Sequence, residues 1–141
     1  MARILSIDYG QKRTGIAVSD PLRLTANGLE TVPTHRLIAY LQEYTAREQV
    51  DTFVLGFPSQ PDGSPSSNQE RVRQIATALQ RRFPNIRLVL YDERFTSVLA
   101  HRAMIDGGLH RKARQDKALV DKISATILLQ DYMEHLRLNP Q

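Results

Sequence analysis

The run Ala2-Arg3-Ile4-Leu5-Ser6-Ile7-Asp8-Tyr9-Gly10 constrains this chain more than any other stretch. Ile4, Leu5 and Ile7 are apolar and mostly branched, and Gly10 stops the run. That composition predicts a strand buried on both faces, running through the middle of a sheet. A buried strand should not end in a carboxylate, because an unpaired charge costs several kcal/mol unless it reaches water, a cation or a metal. Asp8 stands where the strand leaves the core. It is either a turn residue bonded to the backbone of Gly10 or a mark of chemistry at that edge.

The following residues read as a meander. Gln11-Lys12-Arg13-Thr14-Gly15 is a short polar hairpin loop ended by glycine, and Ile16 to Ser19 is the return strand, closed by Asp20-Pro21. Lys12 and Arg13 then sit at the loop tip, as solvated turn residues or phosphate contacts. Asn27-Gly28 predicts a further turn, with a third strand over Leu29 to Val32. Beyond it, helix and strand alternate. Thr34 caps a helix carrying Leu37, Ile38, Leu41 and Tyr44. Thr52 to Phe57 is a buried strand, followed by a loop rich in Ser, Pro and Gly.

Ser67-Asn68-Gln69-Glu70 matches a capping box for a helix to about Arg82. Ile86 to Tyr91 is the fifth strand and runs into Asp92-Glu93-Arg94. A helix opens at Thr96 or Ser97 and ends at Gly107-Gly108. His110 to Lys117 is a basic, apolar-poor loop containing Asp116. The last helix, about Ala118 to Leu136, carries Leu119, Ile123, Ile127 and Leu128 as its apolar stripe. This order predicts an α/β domain: a mixed five-stranded sheet with helices on both faces, over residues 1–138, with a short tail at 139–141.

Composition narrows the setting. A chain of 141 residues suits one domain with a core of its own. It has no cysteine, which removes disulfides and thiolate zinc sites and suits a reducing cytoplasm. Met1 leads straight into the first strand, leaving no room for a signal peptide, and no apolar stretch is long enough to span a membrane. Lys and Arg total 19 against 15 for Asp and Glu, a modest excess that matters where it clusters.

Two predicted strands end in acids, Asp8 and Glu93. Strands of an open α/β sheet present their carboxyl ends at one edge, where ligands bind. A third acid, Asp121, lies near the start of the last helix. Ser124 and Ala125 behind it would let that helix approach the sheet; the alternative is an acid complementing the helix dipole. Three converging carboxylates repel unless cations sit among them, and hard oxygen donors favour Mg²⁺ or Mn²⁺. Two such ions about 3.5–4 Å apart activate a water and stabilise the leaving oxygen of a phosphodiester.

Taken together, Asp8 to Ala17, Gly56-Phe57-Pro58, Asp92-Glu93-Arg94-Phe95-Thr96-Ser97 and Asp121-Lys122-Ile123-Ser124-Ala125 resemble the YqgF/RuvX family, in order and over nearly the whole chain. The resemblance implies a ribonuclease-H-like fold, a relationship to the Holliday-junction resolvase RuvC, and a cytoplasmic nuclease that processes the 5′ end of precursor 16S ribosomal RNA. It makes Asp8, Glu93 and Asp121 the catalytic, metal-binding acids, using Mg²⁺ or Mn²⁺. Asp116, in the predicted loop, stays outside that set. Lys12, Arg13, Arg94, Arg111, Lys112, Arg114 and Lys117 are the candidate nucleic-acid contacts. The expected partners are structured RNA, branched DNA or ribosomal precursor particles, with the chain a monomer or homodimer.

Other readings stay open at this point. The same acids would serve a DNA junction resolvase, for which a dimer with two sites would be diagnostic. A non-catalytic nucleic-acid-binding module would not need a carboxylate cluster. Asp8-x-Gly10 also fits the phosphate loop of actin-like sugar kinases, but those need a second lobe that 141 residues cannot supply.

Overall fold

The computed structural model describes residues 2–57, 68–92 and 116–139. The strand β1, Arg3–Tyr9, is followed by β2, Arg13–Ser19, and β3, Ala26–Pro33. A 3-10 turn at Thr34–Arg36 leads into helix α1, Leu37–Arg47, then strand β4, Val50–Phe57. Helix α2 spans Gln69–Arg82, strand β5 Arg87–Asp92, and helix α3 Lys117–Leu138. The sheet order is β3-β2-β1-β4-β5, with β1 in the centre as its composition predicts. β1 pairs antiparallel with β2 and parallel with β4, and β4 pairs parallel with β5, so the sheet is mixed.

Strand alternation sorts the core into two layers. Leu5 and Ile7 of β1, with Ile16, Phe53 and Leu55, face α1 and α2 and meet Leu37, Leu41, Val72 and Leu79. Ile4, Ala17 and Val54 face the other way, against Ala125, Leu128, Leu129 and Tyr132 of α3. Each fully buried Leu, Ile or Phe contributes about 1.5–3 kcal/mol through removal from water. Helices on both faces are therefore what keep β1 apolar on both sides. No helix among the described residues is long and apolar enough to cross a membrane.

Several local expectations are corrected. Gly15 does not end the hairpin loop; it lies inside β2, opposite Asp8. Asn27-Gly28 makes no turn but lies in β3, where Ile16 pairs with Glu30 and Ala17 with Gly28, so that Leu29 is the extra residue of a bulge. The Asn-Gly pair thus marks a bulge rather than a turn. Thr34 does not cap α1: its hydroxyl lies 2.7 Å from the carbonyl of Gly10 and 2.9 Å from the Thr14 hydroxyl, tying the β1–β2 loop to the end of β3. Asn68 stands at the N-cap of α2, while Ser67 of the expected capping box lies outside the described residues.

The stripe of α3 also differs. Ala125, Leu128, Leu129 and Tyr132 are its buried residues, whereas Leu119, Ile123 and Ile127 are only partly covered. The first half of this helix lies close over two glycines of the sheet, through the Asp121 backbone at Gly15 and the Lys122 side chain at Gly28. A Cβ placed on Gly15 would stand 2.0 Å from the Asp121 carbonyl oxygen, and one on Gly28 2.9 Å from Cγ of Lys122. Ser6 donates a 2.7 Å hydrogen bond to the carbonyl of Ala125, and Thr31 donates to that of Ala118. At the far end, Tyr91 of β5 donates to Asp131 at 2.7 Å.

Asp116 is also revised. It is the N-cap of α3, its carboxylate accepting from the backbone N–H groups of Ala118 and Leu119. Lys117 is thus the first residue of a helix rather than part of a loop.

Candidate active site

Asp8 is the second-last residue of β1, half-buried, one position beyond the Ile7–Leu55 pairing that ends the β1–β4 ladder. Directly opposed residues of an antiparallel pair share a face. Asp8 opposes Gly15, whose missing Cβ points at the Asp121 backbone, so Asp8 looks toward the α3 face. Ile4 and Ser6, two and one alternations earlier, already touch α3.

Asp121 stands on the sheet-facing stripe of α3, one turn before Ala125 and two before Leu128. Its carboxylate accepts a 3.0 Å hydrogen bond from Nε of Arg13, a charged pair at the rim of the site. Burial pushes the Asp121 carboxyl above its usual range, and the guanidinium of Arg13 and the ammonium of Lys117 pull against that rise. Among the described residues the largest cause is thus loss of water. A cation placed beside this carboxylate would relieve the same penalty.

Fold and packing thereby bring two of the three expected acids to one face. Glu93 follows directly on Asp92, the last residue of β5, and lies outside the described residues. Among the described residues no group of three or more His, Asp and Glu side chains is close enough to hold a metal by itself. Of the expected nucleic-acid contacts, Lys12 is exposed in the β1–β2 loop and Lys117 is exposed on the first turn of α3. Arg13 is the first residue of β2 rather than a loop tip, and its guanidinium is held by Asp121. Arg94, Arg111, Lys112 and Arg114 lie outside the described residues.

Three supporting residues have roles that the sequence reading did not assign. Ser6 fastens α3 to the central strand, Gly15 admits its backbone, and Thr34 pins the loop beside Asp8. For Ser6 a signal existed: a small hydroxyl at the mid-point of an apolar strand, on the same alternation as Asp8.

The family model for RuvX, described as a Holliday junction resolvase, matches residues 2–135. The chain belongs to the RuvX family. A relative from Bacteroides thetaiotaomicron is 53% identical over 137 residues, covering 97% of this chain and 99% of the relative. One from Parabacteroides distasonis is 54% identical over 134 residues, covering 95% and 96%. Both carry the name "Putative pre-16S rRNA nuclease". Among solved structures, Thermus thermophilus RuvC in complex with a Holliday junction substrate aligns with a TM-score of 0.59 at 18% identity, covering 96% of each chain. A second structure of Thermus thermophilus RuvC gives 0.54 at 16% identity, covering 94% of this chain and 96% of that one. The RuvX chain therefore has the ribonuclease-H-like fold, with the mixed five-stranded sheet that its sequence predicts.

Proposed function

We propose that this RuvX chain is a divalent-cation-dependent nuclease that hydrolyses phosphodiester bonds at the 5′ end of precursor 16S ribosomal RNA, acting on ribosomal precursor particles in the cytoplasm. The observation that carries the reading is the approach of Asp121 to the Asp8 face across Gly15, which joins two acids from opposite ends of the chain. The names of the relatives supply the substrate.

Glu93 completes the acid set in this proposal. It enters through its motif, Asp92-Glu93-Arg94, which follows directly on β5. Carboxylate oxygens are hard donors, and with no cysteine in the chain they suit Mg²⁺ or Mn²⁺. When bound, such ions polarise the phosphodiester and supply an activated water. Arg13 holds Asp121 in position and offsets its charge. Lys12, Arg94, Arg111, Lys112, Arg114 and Lys117 contact the phosphates around the scissile bond.

The deciding experiment incubates the protein with precursor 16S RNA, duplex DNA and a four-way DNA junction, each with Mn²⁺ or Mg²⁺. Cleavage of the RNA at a defined 5′ site supports the proposal. Preferential cutting of the junction would favour the resolvase reading, which the family description supports. No cleavage of any substrate would overturn both.

Metal binding has its own readout. A cation bound by the folded protein at a hundredfold excess over Kd should stabilise it by about 2.7 kcal/mol. For a domain of this size that raises Tm by roughly 5–10 °C. Asp8→Asn should lose most of that response to Mn²⁺. An equal rise in wild type and variant would place the ion elsewhere.

A further inference from the structure

Helix α2 carries its charge unlike the other two helices among the described residues. Arg71, Arg73, Arg81 and Arg82 are all exposed on it, and exposed Arg87 opens the strand that follows. From position 71 to 91 the sequence contains these five arginines, no lysine, and no Asp or Glu. The whole chain has a net charge of only +4, so this one stretch outweighs the excess of the entire protein. Helix α3 instead interleaves signs, pairing Arg137 with Glu134. Among the described residues no carboxylate forms an ion pair with Arg71, Arg73, Arg81 or Arg82. The one acid of α2, Glu70, stands three positions before Arg73, whereas Arg71, Arg81 and Arg82 have no acid three or four positions away within the helix.

Placement gives the pattern direction. β4 runs toward the candidate site and ends at Phe57, and Arg73 lies 5.2 Å from the centre of the Phe57 ring. The first turns of α2 are therefore seated at the site end of the sheet. The helix then runs back the other way: Phe83, just past its end, packs edge-on against Phe53 at 5.2 Å, and Arg87 pairs with Thr52 near the start of β4. Arg71 and Arg82 are eleven positions apart, which is about three turns. They fall on one flank roughly 16 Å apart. Along one nucleic-acid strand of B-form spacing that distance covers about five phosphates. Guanidinium groups are the side chains best matched to phosphate oxygens, through paired N–H donors.

We propose that the outer face of α2, through Arg71, Arg81 and Arg82, is a second binding surface for the phosphate backbone. It receives the part of a nucleic-acid strand that crosses the sheet edge beside Phe57 and runs away from the acids. Identifying the polyanion as nucleic acid rests on the nuclease reading; the surface itself rests on the charge pattern.

The test compares wild type with the Arg71→Gln, Arg81→Gln, Arg82→Gln triple variant, binding fluorescently labelled RNA strands in EDTA across a salt series. Strands of about 6 and about 20 nucleotides separate occupants confined to the acids from those that also reach α2. For the long strand, losing three contacts should flatten the slope of log K against log salt by about 2. The short strand should bind both proteins alike. The matching triple lysine variant should keep the slope, which removes general damage to the helix as a cause.

An unchanged long-strand slope in the glutamine variant overturns the proposal. So does equal displacement of the long RNA by polyglutamate of matched length, which would assign the face to an acidic protein. The nuclease reading fails separately: wild type that cuts no substrate in Mn²⁺, yet behaves as expected in the binding series, retains the α2 surface without the activity.

Discussion

Asp8→Asn should yield a folded protein whose cleavage rate is at least about a hundredfold lower, because metal-assisted hydrolysis would draw several kcal/mol of transition-state stabilisation from ions held by the acids of the proposed site. Glu93→Gln and Asp121→Asn should fall by similar factors. Groups that act as one unit give losses that do not add, so the double variant Asp8→Asn, Asp121→Asn should be scarcely slower than either single one. Single-turnover cleavage of the preferred substrate, with circular dichroism to confirm folding, measures this. An Asp121→Asn protein that keeps its full rate would reduce Asp121 to the ionic partner of Arg13.

The second large effect concerns stability. Gly15→Ala introduces a Cβ into a space where the Asp121 carbonyl oxygen would stand 2.0 Å away. The obstacle is helix backbone, which no rotamer change can clear, so α3 must lift from β2 or the sheet must deform. Overpacking of this kind costs up to about 3 kcal/mol and occasionally more. Thermal unfolding should show Tm lowered by roughly 10 °C. Activity should fall further than stability alone explains, since the displacement also moves Asp121 away from Asp8. A Gly15→Ala protein that melts with the wild type would mean that the helix does not seat there.

These two positions differ in how far the sequence announces them. The central strand was legible because burial on both faces leaves Ile4, Leu5 and Ile7 with no polar alternation to confuse, and a carboxylate at its exit is conspicuous. Asp121 stands out in the sequence only as an acid followed by small residues; the structure adds the approach of its backbone to Gly15. By local pattern Gly15 reads as the end of a loop, because its real cause is a carbonyl more than a hundred residues away that no local pattern encodes. The covered stripe of α3 departs from its hydrophobic pattern for a related reason. Where a helix lies on glycines and a serine, its covered face is not its greasiest face, so Leu119, Ile123 and Ile127 drew attention that Ala125 deserved. Arg13 follows a polar run that mimics a longer hairpin loop; the real loop ends before it, and its side chain reaches Asp121.

The hydrogen bond from Ser6 to Ala125 spans 119 residues of sequence, and the pair of Arg13 with Asp121 spans 108. Contacts of such separation are slow to form, because the loop they close must lose its freedom before any attraction is gained. A chain emerging from a ribosome can pair β1 with β2 early, yet its acids stay apart until α3 has been made and has settled on the sheet. Catalytic competence is thus a late event in the life of each molecule. If Asp8 and Asp121 form the proposed site, a nascent chain carries Asp8 past the ribosome's own RNA long before that site exists.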